Sequence, residues 1–409
     1  MTQSAIQSAS TSANTDSRIW GILAIAVGTQ AAGSIVSQGI YILVPFWREA
    51  FGVTLASASL AVTVMNGVQI ITMYSFGRAI DMYGERKVVG IAMTAMAAAM
   101  AATALFVDNL VSLLICMAFL GGTYSAVQPG GTRAVMRWFP PHKRGIATGF
   151  RQAAVPFGTM IAAAVLPYFA VHYGWHSAAW VGAGVSIFGA LLFWGLYREP
   201  DSIATKAAAP LPLKILIRTV GEEKNFWPVL RLGIAMSAFQ FTFTAHMISY
   251  LTGHFRIDIV LAALLFALIQ CAGIPGRVLL PWLSDYYRPA KRAHSLAFIS
   301  LIAVGTTVLL TLLPAIMPMA AILVLLVLLG FFGIGWFPLY LLEIAEAAPK
   351  SSIASTVAFA STICLAVMAL GPYLFGLIAD WFGYQAAWFS LIAPVLITAG
   401  QLLRSRSPQ

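Results

Sequence analysis

The sequence predicts an all-α membrane protein of twelve transmembrane helices, arranged as two pseudo-symmetric six-helix bundles. Composition is the first reason: of 409 residues, 60% are hydrophobic and 9% charged, against about 45–50% and about 25% in soluble domains. The second is the number of apolar runs long enough to cross a bilayer core, which takes about 20 residues per helix. The third is an internal repeat that relates the two halves of the chain.

Apolar runs fall at 20–46, 54–76, 88–107, 110–136, 145–171 and 176–197, then at 227–253, 258–284, 294–313, 318–344, 353–379 and 384–403. Six runs form a first bundle over 18–197 and six a second over 227–404. The polar stretch 198–226, with Pro200, Pro210, Pro212, Glu222, Glu223 and Lys224, reads as the linker. Residues 1–17, rich in Ser, Thr, Ala and Gln, read as a disordered tail rather than a signal peptide, and 405–409 as a second tail.

The net charge of +10 comes from Lys and Arg in short clusters between the apolar runs, not from one basic face, which excludes a nucleic-acid surface. The clusters fall at the two ends, in the linker and in the even-numbered loops, while only Arg48 and Arg256 fall in odd-numbered loops. By the positive-inside rule both termini and the linker are cytoplasmic, which requires an even number of spans. The compact loops suggest a bacterial inner membrane. Cys116, Cys271 and Cys364 each sit inside an apolar run without CxxC spacing, so they predict neither a disulfide nor a metal site. No cofactor is implied.

The halves repeat. KRGIATG at 143–149 faces KSSIAST at 350–356, and GWHSAAW at 174–180 faces GYQAAW at 383–388, at offsets of 207 and about 208. Asp81 matches Asp285 at an offset of 204, each in a basic loop.

The loop after span two reads GRAIDMYGERK, with Gly77, Asp81, Gly84, Arg86 and Lys87. It resembles the loop signature of the major facilitator superfamily. The second-half copy, PWLSDYYRPAKR, keeps Asp285, Lys291 and Arg292 but carries Pro281 and Arg288 in place of glycines. Arg144, Gly145, Ala147 and Gly149 resemble the family's RGxAxG loop after span four. The resemblance covers about 18–404 and implies a monomeric carrier in which two bundles rock around one central site. Glycines allow a tight turn and close helix approach, and an acid among basic residues can make charge-assisted hydrogen bonds. In the family such charges latch one side of the carrier; Glu343, with Glu346, is a further candidate for that latch. The alternative is that the basic residues only set topology.

Charges inside the hydrocarbon are costly and mark function or the interface. Arg133 in span four, Arg151 in span five and Arg277 in span eight have no acid within one turn of their own helix, so an anionic cargo is the simplest partner for their forked donors. Arg277 lies eight residues before Asp285, about 12 Å along the helix and near mid-membrane. Residues 276–285, GRVLLPWLSD, resemble the span-eight pattern of monocarboxylate and oxalate–formate carriers, apart from Pro281. Span eleven lacks the lysine of the oxalate carriers. The alternative for Arg133 and Arg151 is snorkelling to the surface.

Gln30, Gln38, Asn66, Tyr124, Gln128, Gln240 and Gln270 are mid-depth polar residues that either complete a binding site or bond helix to helix. His246 and Glu343 are candidates for proton coupling, with packing and latch roles as their respective alternatives. The expected function is alternating-access transport of a small organic anion, by proton symport or anion exchange. Efflux of drugs or amphipathic compounds is the alternative, against which Gly149 and Gly158 fit an antiporter spacing that lacks its Gly-Pro. A membrane enzyme finds no support, since no H-E-x-x-H, G-x-S-x-G or P-loop pattern occurs.

Overall fold

The computed structural model describes all residues except Met1, Thr54, 200–210, Lys224, 288–290, Leu313, 315–317 and 405–409, with backbone alone for 2–17, 55, 56, 259, 260, 263, 373 and 380. Much of the linker, the C-terminal tail and Arg288 therefore lie outside the described residues, as does the side chain of Asp380. The first half contains α1 (Thr2–Phe51), α2 (Leu55–Tyr83), α3 (Glu85–Phe106), α4 (Leu110–Tyr124), α5 (Val127–Trp138), α6 (Pro141–Tyr173) and α7 (Trp175–Leu191). A π-helical turn, Leu192–Leu196, ends it. The second half contains α8 (Leu213–Glu222), α9 (Phe226–His254), α10 (Ile259–Tyr287), α11 (Arg292–Leu312), α12 (Met319–Gly335), α13 (Phe337–Glu346) and α14 (Ile353–Arg404).

Eleven of the described segments are long and apolar enough to cross a membrane. The remaining long helix, α9, has 29 residues but carries Gln240, Thr242, Thr244 and His246, which lower its hydropathy. Together these segments match the twelve runs expected from the sequence. Two departures have local causes. Residues 2–17 continue α1 instead of forming a disordered tail: an Ala-, Ser- and Gln-rich segment without Gly or Pro offers nothing to stop helix propagation from the span that follows. The linker includes the helix α8, whose Leu216 and Val220 are buried.

The chain divides into two compact units, one of 1–140 and 154–210, the other of 141–153 and 211–409. In the first, α2 packs on α4, while α7 packs on both α1 and α3. In the second, α9 packs on α14, α10 on α12, and α11 on both α12 and α14.

The repeat is visible inside each unit. Span four is interrupted between α4 and α5, just before Pro129, and span ten between α12 and α13, just before Pro338. Proline cannot donate to the helix ladder, so the interruption recurs where the two halves carry the same residue. Gly174 (φ 80°) and Gly383 (φ 83°) occupy equivalent turns between the last two spans of each half, in a backbone region that strains any residue with a Cβ. Gly121 lies against the Met65 carbonyl, and Gly330, 209 positions later, lies against the Ile269 carbonyl. At these positions α4 approaches the backbone of α2, and α12 that of α10, with no room for a Cβ.

We expect Gly121→Val and Gly330→Val each to destabilise the folded protein by about 1–3 kcal/mol through overpacking. Gly305→Ala, where a Cβ meets nothing within 4 Å, should be neutral or stabilising. Melting temperatures in detergent check this.

Candidate functional site

In the first unit, the loop signature organises a buried ionic cluster. Gly84 (φ 89°) turns the chain so that Glu85 becomes the first residue of α3. The Glu85 carboxylate is fully buried. It accepts hydrogen bonds from Arg133 Nη1 (2.7 Å), Arg137 Nη1 (2.8 and 3.0 Å) and the Tyr197 hydroxyl (2.7 Å). Arg133 Nη1 also donates to the Ile80 carbonyl at 2.6 Å. Asp81, 3% exposed, lies 3.3 Å from Arg133 Nε, a charge contact whose geometry is not that of an aligned hydrogen bond. Arg137 extends the cluster to Glu199 at 3.5 Å.

Arg86 donates through Nε (3.2 Å) and Nη2 (2.5 Å) to the carbonyl of Trp194, which lies in the π-helical turn. Its backbone N–H donates to Glu199 at 3.3 Å. Lys87 is exposed and makes no ion pair among the described residues.

The expectation that Arg133 lacks an acidic partner is corrected by this geometry. Its partners, Asp81 and Glu85, come from the end of α2 and the start of α3, 52 and 48 positions away. The charge of Arg133 is thereby engaged by protein carboxylates.

The second unit repeats the arrangement with two signs exchanged. Asp285, 7% exposed, accepts from Arg292 Nε (2.5 Å) and from the Gly145 N–H (2.8 Å). Arg292, the first residue of α11, donates from Nη1 to Glu346 (2.5 Å) and from Nη2 to the Pro141 carbonyl (2.7 Å). Glu346 also meets Arg144 at 3.5 Å. Thus an acid starts α3 and bases end α5, whereas a base starts α11 and an acid ends α13. A Cβ on Gly145 would collide with the Asp285 carboxylate, so the small residue permits that backbone bond.

Glu343 was expected in this latch, but the ion pairs run to Glu346. Glu343 makes no ion pair among the described residues; with Glu222, Glu223 and Glu346 it borders a cavity of about 400 Å³. His246 donates through its Nε2–H to the Pro372 carbonyl, 2.9 Å away, and its ring lies 4.8 Å from that of Phe375.

Arg277 and Arg151 have a different setting from Arg133. Both are buried, Arg151 completely and Arg277 at 8% exposure. Arg277 Nη1 donates to the Gln152 carbonyl at 2.8 Å. Its Nε is buried without a hydrogen-bond partner, as is the Gln152 side-chain oxygen. Among the described residues Arg277 pairs with no carboxylate. Gln152 is a residue that sequence reasoning missed; standing directly after Arg151 was its only signal.

The uncharged candidates mostly bond within their own unit. Asn66 donates to the Tyr41 hydroxyl at 2.7 Å, and Gln30 donates to Ser34 on its own helix at 3.4 Å. Gln240 accepts from Trp336 Nε1 at 2.8 Å, tying α9 to the interruption of span ten. The Tyr124 ring lies against Gly33, and the backbone carbonyl of Gln128 accepts from Thr132 at 2.9 Å. Gln38 and Gln270 are half-buried, while Gly77 is buried.

Removing one side of a buried ion pair leaves the other charge stranded, at a cost of about 3–5 kcal/mol. Arg133→Ala and Arg292→Ala should therefore lower thermal stability strongly. Pairing Arg133→Gln with Glu85→Gln should recover much of that loss, as measured by melting in detergent.

Comparison with known proteins agrees with these features. Residues 23–372 match the Major Facilitator Superfamily. An uncharacterized MFS-type transporter of Mycobacterium tuberculosis is 28% identical over 90% of this chain and 81% of its own. The hexuronate transporter of Escherichia coli is 23% identical over 44% of this chain and 42% of its own. The proton:xylose symporter bound to 6-bromo-6-deoxy-D-glucose shares the fold, with a TM-score of 0.72 at 15% identity over 95% of this chain and 96% of that one. The chain belongs to the Major Facilitator Superfamily: it is a multi-pass integral membrane protein and a secondary transporter, not an enzyme.

Proposed function

We propose that the protein carries a small organic anion, specifically a hydroxylated monocarboxylate of the sugar-acid class, by alternating access in a bacterial inner membrane. The observation that carries this reading is Arg277: a buried guanidinium in a membrane helix with an unused Nε donor and no carboxylate partner among the described residues. Its fork suits a carboxylate, and a charged donor without a partner away from water favours an anionic ligand. Beside it, the unpartnered Gln152 side-chain oxygen is an acceptor for a hydroxyl. The similarity to a hexuronate transporter supports this cargo class.

The ion pairs that tie 141–153 to the rest of the second unit serve as the latch, breaking and re-forming during transport. Proton symport is the proposed coupling. Glu343 is the first candidate to carry the proton, because it is a carboxylate within a span that makes no ion pair among the described residues. His246 is the second candidate.

Uptake of labelled D-galacturonate into proteoliposomes tests the reading. Arg277→Lys should reduce uptake about tenfold or more and Arg277→Ala should abolish it. Glu343→Gln should retain exchange of the anion while losing acceleration by an inward proton gradient. Unchanged uptake in both Arg277 variants would remove the arginine from the site, and a normal gradient response in Glu343→Gln would pass the proton to His246.

A further inference from the structure

Within the first unit, α1 and the end of span six enclose a groove of about 660 Å³ that the transport reading does not use. One wall is cut back at Gly21 and Ala24 of α1, and the other is formed by Leu192 and Leu196 of the π-helical turn, with Leu192 packed against Gly28. A Cβ built on Gly21 meets nothing within 4 Å, so the trough is open at that point. At one end stand Arg18 and Arg198, both exposed. Neither makes an ion pair among the described residues. Arg18 lies over the Trp138 ring, 5.2 Å from its centre, the kind of aromatic contact that marks a membrane–water interface.

We infer that this groove binds an anionic phospholipid, with an acyl chain along the glycine-cut wall and the phosphate at Arg18 and Arg198. The charge pattern selects that occupant: the rim is basic, no acid among the described residues lines the groove, and the walls are apolar along a membrane span. Basic pockets between transmembrane helices hold anionic headgroups, with each arginine near the surface worth about fivefold in affinity. A soluble anion would gain nothing from the apolar walls, and a zwitterionic lipid would use the walls but not the pair of arginines. Arg198 adjoins Glu199, which meets Arg137 and the Arg86 backbone, so the bound headgroup would stand next to the ionic cluster.

Native mass spectrometry of the full chain, with phosphatidylglycerol and phosphatidylcholine of identical acyl chains, tests the inference. Wild type should retain phosphatidylglycerol preferentially. Arg18→Gln and Arg198→Gln should each reduce that retention about fivefold, and Gly21→Phe should reduce it by filling the trough with both arginines intact. Arg48→Gln, which removes an exposed charge at the other end of α1, should leave retention unchanged, and all variants should melt as wild type does. Unchanged retention in the double arginine variant or in Gly21→Phe would overturn the site. So would an equal loss in Arg48→Gln, which would mean general charge attraction, or displacement of the lipid by free glycerol phosphate, which would mean a soluble anion.

Discussion

A charge held away from water costs several kcal/mol unless an opposite charge and well-placed hydrogen bonds accompany it. That constraint arranges most of the polar structure of this protein. Glu85 is fully buried and is tolerable only because Arg133, Arg137 and Tyr197 all donate to it. The turn at Gly84, the interruption of span four and the π-helical turn after α7 each bring one of these groups, or a neighbour of one, into place. Asp285 depends in the same way on Arg292 and on the backbone of Gly145.

The exchange of signs between the two units follows from the same rule. A buried pair needs one acid and one base, but it does not specify which helix supplies which. After duplication of a six-helix unit, the start of the third helix and the end of the fourth can trade charges together and remain satisfied. Close packing constrains the repeat more tightly, because a glycine facing a backbone carbonyl has no such freedom: Gly121 and Gly330 occupy equivalent positions and meet equivalent partners. Arg277 stands outside the pairing rule, and for that reason it defines the candidate site. The sugar-acid reading supplies its missing negative charge from the cargo.

The spans, the twofold repeat and the superfamily were legible in the sequence because hydropathy, charge asymmetry and the GRAIDMYGERK loop are properties of contiguous segments. Partnerships between segments were not. Arg133 looked like an unpaired intramembrane charge, since its acids lie 48 and 52 positions away. Glu85 was hidden inside a basic loop, where its neighbours Arg86 and Lys87 suggested topology more than burial. Glu343 and Glu346 are alike in sequence and share one helix face, but Glu346 lies about 4.5 Å further along the helix axis, and of the two only Glu346 reaches Arg292 and Arg144. The extension of α1 through 2–17 was missed because composition alone does not register an adjoining helix ready to propagate.

The central claim is that Asp81, Glu85, Asp285, Arg133 and Arg292 are met by opposite charges, whereas Arg277, which pairs with no carboxylate among the described residues, takes the anionic cargo proposed above. Calorimetric titration of the purified protein with D-galacturonate and with D-galactose tests it most directly. The account predicts saturable binding of the acid, little binding of the neutral sugar and loss of the acid's binding in Arg277→Ala at an unchanged melting temperature. Equal binding of acid and neutral sugar, or full binding of the acid by Arg277→Ala, would contradict it.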